Sequence, residues 1–176
     1  MNGATVWLTG LPSAGKSTIA RALAERLRPG RRVEVLDGDE IRAHLSPGLG
    51  FSREDRVENV RRVGWLAQLL ARNGVLAVVP VIAPYAEARR EVRAAHEAAG
   101  TPYLEVYVAT PLDTCAQRDV KGLYARRARG ELTGLTGVDD PYEPPEEPEL
   151  TVDTRACAPA GTAAQVHAAL RERGLA

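Results

Sequence analysis

The chain has 176 residues, of which 44% are hydrophobic and 26% charged, and its 23 basic side chains balance 23 acidic ones. This length suits one domain with its own core, and the composition is too apolar for a disordered chain. Zero net charge argues against a general nucleic-acid or membrane-surface binder, and no apolar run reaches the ~20 residues that span a bilayer. Residues 1–4 lack the basic segment of a signal peptide, and Cys115 and Cys157 have neither metal-ligand nor disulfide spacing. We therefore expect a single cytoplasmic domain over residues 1–176, with reduced thiols.

Short apolar runs alternate with amphipathic segments along the chain. Ser52 has the position of a helix cap, and Gly74 follows the last residue of the helix that Ser52 opens. Such alternation with short links is typical of an α/β fold, with a mostly parallel five-stranded sheet and helices on both faces. The patterns predict strands at 5–9, 33–36, 75–79, 103–108 and 149–152, and helices at 16–28, 52–73, 86–99, 112–118 and 162–173.

Residues 119–148 interrupt this alternation. They join a basic, glycine-containing part around Lys121 to an acidic, proline-rich part at 139–145. An irregular segment of about thirty residues inside a compact domain is usually functional or disordered. We expect a mobile basic lid followed by an extended acidic strap, and a solvated insertion without function is the alternative.

Residues 10–17, GLPSAGKS, match the Walker A pattern of a phosphate-binding loop. The pattern follows a predicted strand and opens a predicted helix, so backbone N–H groups and the positive helix end face the same point. We expect Lys16 to reach the β- and γ-phosphates of ATP and the Ser17 hydroxyl to bind Mg²⁺. The predicted nucleotide-binding set is Gly10, Ser13, Ala14, Gly15, Lys16, Ser17 and Thr18.

A phosphate-binding loop occurs in GTPase switches and motors as well as in kinases. A guanine-specific switch carries an Asn-Lys-x-Asp signature, and neither of the two lysines lies in one. Motors place an aspartate after a later apolar strand, whereas residues 75–81 lead into prolines. A small-molecule phosphotransferase fits best.

Asp37 and Asp39 follow the second predicted strand, at the sheet edge where ligands of open α/β folds bind. In an extended segment, side chains two residues apart face the same way, so we expect both carboxylates to point into the crevice. One would organise Mg²⁺ and its waters, and the other would orient an acceptor hydroxyl or take its proton. A turn and helix cap is the alternative for one of them.

Four further residues mark the predicted acceptor side. Arg42 lies one helical turn past Asp39, and Arg56 and Asn59 are three apart on the next helix. Arginine suits sulfate and phosphate groups, although most of the 21 arginines are expected to be solvated surface residues. Phe51, the only phenylalanine, is either a core residue or a loop aromatic that stacks on a base.

Several of these motifs, taken together, resemble the adenylyl-sulfate kinase family. The resemblance covers nearly the whole chain and rests on residues 10–18, 37–39 with Arg42, 50–59, 84–85, 121–124 and 136–143. It implies a P-loop kinase that uses MgATP to phosphorylate the 3′-hydroxyl of adenosine 5′-phosphosulfate (APS), giving 3′-phosphoadenylyl sulfate. It also implies a homodimer.

The resemblance further implies roles for individual residues. Phe51 would stack on the APS adenine, Asp39 would serve the 3′-hydroxyl, and Lys121 would lie in the lid over the nucleotides. The expected catalytic residues are Lys16, Asp37 and Asp39. The acceptor would be held or lined by Arg42, Arg56, Asn59, Ile82 and Leu135, and the donor adenine would lie near Arg118 and Asp119.

The chain departs from the family pattern at three positions. Ala83 replaces a serine that some members phosphorylate, which excludes a phosphoserine there and leaves direct in-line transfer. Ala86 replaces an arginine, whose anion contact Arg89 or Arg90 is expected to supply. Leu135 replaces a phenylalanine that forms the second wall around the adenine. A paralogue acting on another small alcohol and an inactive nucleotide-binding protein are the competing hypotheses.

Overall fold

The structure is a computed structural model that describes residues 3–176; the expectations for Met1 and Asn2 lie outside the described residues. The strands are β1 Ala4–Thr9, β2 Val33–Val35, β3 Leu76–Pro80, β4 Tyr103–Val108 and β5 Leu150–Val152. The helices are α1 Lys16–Leu27, α2 Gly38–Leu45, α3 Arg53–Arg72, α4 Ala86–Ala98, α5 Leu112–Arg118, α6 Leu123–Ala128 and α7 Pro159–Glu172.

The strands form one parallel sheet in the order β2-β3-β1-β4-β5. Since all strands run the same way, their carboxyl ends lie along one edge, and β1 is central with later strands on either side. The chain order reverses beside β1, which is where ligands bind in open α/β sheets. The predicted α/β fold with a parallel five-stranded sheet is confirmed.

Alternate side chains of the sheet enter two separate apolar layers. Val6 and Val78 lie in the layer with α1 and α7, whereas Trp7 and Val79 lie in the layer with α3 and α4. All four are fully buried, and burial of such side chains stabilises the fold by about 1.5–3 kcal/mol each. The continuous apolar strands in the sequence therefore reflect a sheet covered on both faces.

Two short helices, α2 and α6, were not predicted as separate elements. α6 lies in the predicted lid, and the Asp119 carboxylate accepts hydrogen bonds from the backbone N–H groups of Tyr124 (3.0 Å) and Ala125 (2.9 Å). Neither helix has a fully buried residue, so the sequence has no apolar periodicity that would predict either helix. Their caps and tertiary contacts hold them in place.

Candidate active site

The loop between β1 and α1 has the backbone form of a phosphate cradle. Gly10 and Gly15 have φ values of 155° and 106°, and a Cβ at Gly10 would lie only 2.6 Å from the Val108 carbonyl oxygen. Ser13 also lies in the left-handed region, at φ 61°. These conformations turn the loop tightly into α1, whose first N–H groups are available to an anion.

Lys16 is buried under this loop. Its ammonium donates to the carbonyl oxygens of Gly10 (2.9 Å) and Leu11 (2.7 Å), and burial lowers its pKa from 10.5 to about 7. A phosphate bound in the cradle would raise the pKa of Lys16 again, because its negative charge stabilises the charged ammonium that burial disfavours. The neighbouring Ser17 hydroxyl has no hydrogen-bond partner among the described residues, so it is available to a metal ion.

Two threonines that sequence reasoning missed hold the cradle by side-chain hydrogen bonds. Thr110 Oγ1 and Thr154 Oγ1 both donate to the Ala14 carbonyl oxygen, at 2.9 and 3.2 Å. Arg118, predicted near the donor adenine, donates to Thr154 Oγ1 at 2.6 Å and so lies beside the cradle. Thr110 and Thr154 are each the second residue after a strand, β4 and β5 respectively, and this position at the sheet edge was the signal that could have identified them.

Asp37 and Asp39 meet at the start of α2. Asp37 is the N-cap, and its carboxylate accepts from the Asp39 N–H at 3.2 Å. The extended geometry expected for the two residues is therefore wrong, because a helix begins at Gly38; the helix-cap alternative holds for Asp37. Asp39 remains well exposed and forms an ion pair with Lys121 of the lid.

Phe51 lies on the surface between two arginines. Its side chain is 71% exposed, and the Arg42 and Arg56 guanidinium carbons lie 4.4 and 6.0 Å from the ring centroid. Arg42 also donates to the Gly50 carbonyl oxygen, which holds the loop near α2. The structure thus places Phe51 outside the core, with one polarised ring face and a large open area.

Arg56 joins α3 to the segment around Leu135. It donates to the Gly134 carbonyl oxygen at 2.6 Å and to the Thr136 hydroxyl, and it pairs with Asp140 at 3.0 Å. Leu135 itself is only 5% exposed. These contacts bring Leu135, the predicted second wall around the adenine, next to the loop of Phe51, although 84 positions separate the two residues in sequence.

Asn59 lies on the next turn of α3. Its Oδ1 atom is buried and has no hydrogen-bond partner within residues 3–176. Such an orphaned acceptor is uncommon in a folded protein, and a bound polar group would satisfy it. This observation supports the placement of Asn59 in the acceptor site.

The lid touches the phosphate cradle at two points. The Tyr124 hydroxyl donates to the Pro12 carbonyl oxygen at 3.0 Å, and the Val120 N–H donates to Ser13 Oγ at 3.2 Å. Together with the Lys121–Asp39 ion pair, these contacts place residues 120–124 of the lid between the cradle and Asp39. The geometry is that of a two-substrate cleft with a basic cover.

Comparisons with known proteins agree with this geometry. The family model described as adenylylsulphate kinase matches residues 2–153. The chain belongs to the adenylyl-sulfate kinase family. An adenylyl-sulfate kinase of Myxococcus xanthus is 53% identical over 173 residues, which is 98% of this chain and 94% of the relative.

Solved structures of the adenylyl-sulfate kinase family show the same fold. The Mycobacterium tuberculosis APS kinase in complex with AMPPNP and APS has a TM-score of 0.94 and 43% identity, covering 97% of this chain and 98% of its own. A hexameric APS kinase from Thiobacillus denitrificans has a TM-score of 0.75 and 39% identity, covering 99% of this chain and 30% of its own. ATP is therefore a substrate in this family, and a small molecule is its other partner.

One departure from the family pattern has a structural consequence that differs from expectation. Arg89, expected to supply an anion contact in place of the arginine lost at Ala86, is 3% exposed and lies 3.1 Å from Glu105 Oε1 in a buried ion pair. Arg89 is therefore not available to a substrate, which leaves Arg90 as the expected anion contact. Arg90 is exposed on α4, and Ala83 is buried with a left-handed φ of 42°.

Across residues 3–176, no helix is both long and apolar enough to cross a membrane. Over the same range, His, Cys, Asp and Glu side chains form no group of three or more that could hold a metal ion.

Proposed function

We propose that the protein transfers the γ-phosphoryl group of ATP to the 3′-hydroxyl of APS, giving ADP and 3′-phosphoadenylyl sulfate. The observation that carries the proposal is the meeting of a phosphate cradle with an arginine-, asparagine- and phenylalanine-lined acceptor side at one sheet edge. A buried lysine at the cradle and an exposed carboxylate across from it suit direct in-line transfer. The family's product serves sulfate assimilation.

Lys16 and the cradle act on the donor side. The ammonium leaves its two carbonyl partners for the β- and γ-phosphates and neutralises the charge that develops on them. Gly10, Ser13, Ala14, Gly15 and Thr18 belong to the same cradle and contribute its backbone and first helical turn. Arg118 lies beside it through Thr154 and approaches the donor adenine.

Ser17 and Asp37 fit the needs of Mg²⁺. The hydroxyl is without a partner in the described chain. The Asp37 carboxylate, whose side chain is 22% exposed, follows β2 at the same edge of the sheet and lies 3.8 Å from the Arg21 guanidinium. Ser17 would bind the ion directly and Asp37 through water, since Mg²⁺ prefers oxygen ligands and retains waters. When bound at these residues, the ion would supply charge neutralisation for the transferring phosphates.

The acceptor is held by residues from three elements. Phe51 stacks on the adenine, with Leu135 and Ile82 completing an apolar pocket. Arg42, Arg56 and Asn59 bind the charged and polar groups of APS, and the orphaned Asn59 Oδ1 gains a donor there.

Asp39 accepts the proton of the 3′-hydroxyl, and Lys121 covers it. In the ligand-free chain Lys121 pairs with Asp39, so acceptor binding must exchange that ion pair for contacts with the substrate. Ala83 carries no hydroxyl, so a phosphoserine at this position is excluded and the transfer is direct. Closure of the lid and strap, residues 119–148, excludes water from the transferring group.

The proposal extends to assembly and location. The chain forms one domain over residues 1–176 and works as a homodimer in the cytoplasm, where its two free cysteines remain reduced. Light scattering of the purified protein measures the oligomeric state, and cell fractionation measures the location. A hexamer, as in one relative, would contradict the dimer.

The test of function is ADP release from MgATP with and without APS, with the nucleotide product followed by mass. We expect APS-dependent ADP release in the wild type, its loss in Lys16→Ala, and wild-type rates in the control Arg72→Ala, which removes an exposed cation at the end of α3. Turnover only with another alcohol would favour the paralogue hypothesis. ATP binding without any acceptor-dependent turnover would favour an inactive nucleotide-binding protein.

A further inference from the structure

Residues 82–86, here named the acceptor wall, are held from outside by three side chains and one backbone segment. Thr9 Oγ1 donates to the Ile82 carbonyl oxygen at 2.6 Å, and Arg89 Nη1 donates to the Ala83 carbonyl oxygen at 2.6 Å. The Glu143 N–H donates to the Pro84 carbonyl oxygen at 2.8 Å. Three consecutive carbonyl groups of the acceptor wall thus have partners outside it, two of which are distant in sequence.

Glu143 fastens the end of the same segment. Its carboxylate accepts from the Ala86 N–H at 2.7 Å, so it caps α4, which has no cap from its own N-cap residue. Its carbonyl oxygen accepts from Arg89 Nη2 at 2.6 Å. One glutamate of the strap therefore connects the acceptor wall, α4 and Arg89.

Arg89 gives these connections a fixed base. Its guanidinium is buried and paired with Glu105 on β4, and its two terminal nitrogens bind Ala83 and Glu143. The planar fork of arginine suits two acceptors at fixed angles, which a lysine cannot replace. Through Arg89, the sheet thereby holds the strap and the acceptor wall in a fixed position relative to each other.

The acceptor wall needs such support because of its own backbone. Ala83 has a φ of 42°, a left-handed conformation that is unfavourable for a non-glycine residue and persists only where its surroundings impose it. Alanine at 83 and 86 provides no polar side chain to hold the turn from within. The hydrogen bonds from residues outside the acceptor wall therefore impose this conformation on Ala83.

We propose that Arg89 and Glu143 are positioning residues that set the affinity for the acceptor by fixing the acceptor wall. The inference rests on the proposed function, in which Ile82 lines the APS pocket. Neither residue is among the contacts of the phosphate cradle, which is held by Thr110 and Thr154 instead. Their loss should consequently weaken APS binding and leave ATP binding unchanged.

The decisive variant is Glu143→Ala, on the partly exposed strap. We expect KM for APS to rise about tenfold, with KM for ATP within a factor of two of wild type. Glu143→Gln keeps an oxygen for the Ala86 N–H and should restore most of the APS affinity. The matched control is Glu146→Ala, which removes a strap carboxylate that has no hydrogen bond or ion pair in the described chain.

A second pair of variants tests Arg89 against a neighbour on the same helix. Arg89→Lys should raise KM for APS, whereas Arg93→Lys should not, because Arg93 binds Glu105 and Glu149 but neither Ala83 nor Glu143. A similar rise in both variants, or an equal rise of KM for ATP and APS in Glu143→Ala, would overturn the proposal. So would an unchanged KM for APS in Glu143→Ala.

Amide hydrogen exchange in the ligand-free protein separates this proposal from the proposed function. Glu143→Ala should expose the Ala86 amide to faster exchange, while Glu146→Ala should leave it at the wild-type rate. Unchanged protection at Ala86 would overturn the positioning role without reference to substrate. A wild-type protein that does not turn over APS would instead overturn the proposed function.

Discussion

Binding of a nucleotide should draw a proton onto Lys16. The ligand-free pKa of this buried ammonium is lowered to about 7 by desolvation. About one-tenth of the side chain is then neutral at pH 6, about half at pH 7 and about nine-tenths at pH 8. Phosphates in the cradle raise the pKa well above this range, so the bound lysine is charged throughout.

The magnitude of the effect follows from linkage. Since the bound state holds more protons above pH 7, the affinity for MgATP must fall as pH rises. From pH 7 to pH 9 the neutral fraction of free Lys16 alone predicts a loss of about 50-fold, equal to ~2.3 kcal/mol. Below pH 6 this contribution disappears, because Lys16 is then charged in both states.

Titration calorimetry in buffers of different ionisation enthalpy measures the proton uptake. We expect uptake to grow by about 0.8 proton between pH 6 and pH 8 in the wild type. Lys16→Arg is the matched variant, because arginine stays charged and cancels the background from the nucleotide itself. Equal uptake by the two proteins at pH 8 would refute the reasoning from burial.

Three further predictions concern packing, the acceptor aromatic and acid stability. Gly64→Ala should lower the free energy of unfolding, measured in urea, by about 1–2 kcal/mol, since the new Cβ would lie 2.5 Å from a Val92 methyl carbon. Adding Val92→Ala should relieve part of this loss, and strictly additive effects of the two substitutions would contradict the prediction. Phe51→Ala should leave Tm unchanged, because the ring is 71% exposed, but raise KM for APS about fivefold (~1 kcal/mol); the reverse pattern would exclude stacking. Burial lowers the pKa of His96, which bonds to Thr5, so the unfolded state binds more protons and the free energy of unfolding should fall as pH drops below 6.5. His96→Gln should make the free energy of unfolding in urea less dependent on pH in this range, and an unchanged pH dependence would count against the prediction.

Much of the donor site was predictable because its signals are local. The glycine spacing, Lys16 and Ser17 lie within eight residues, and the backbone that they need depends on those residues and on the strand and helix beside them. The strand pattern was equally clear, since a sheet covered on both faces requires continuous apolar runs. The cap at Ser52 also formed as predicted, accepting from the Asp55 N–H.

The acceptor side was predictable in composition but not in geometry. The sequence named Arg56 and Leu135 without showing that Arg56 bonds on both sides of Leu135, to Gly134 and Thr136. It placed Asp39 in an extended segment, because an eight-residue helix with no fully buried side chain has no apolar period to detect.

Sequence by itself determined the parallel α/β fold, the phosphate cradle and the family of this protein, because each depends on short patterns of residue type. Only the tertiary structure decided that Arg89 faces Glu105 rather than a substrate, and that Glu143 caps a helix more than fifty positions earlier. Those contacts join segments far apart in the chain. The physical reason is that the burial of a charge, and the partner it then requires, exist only after the sheet has brought those segments together.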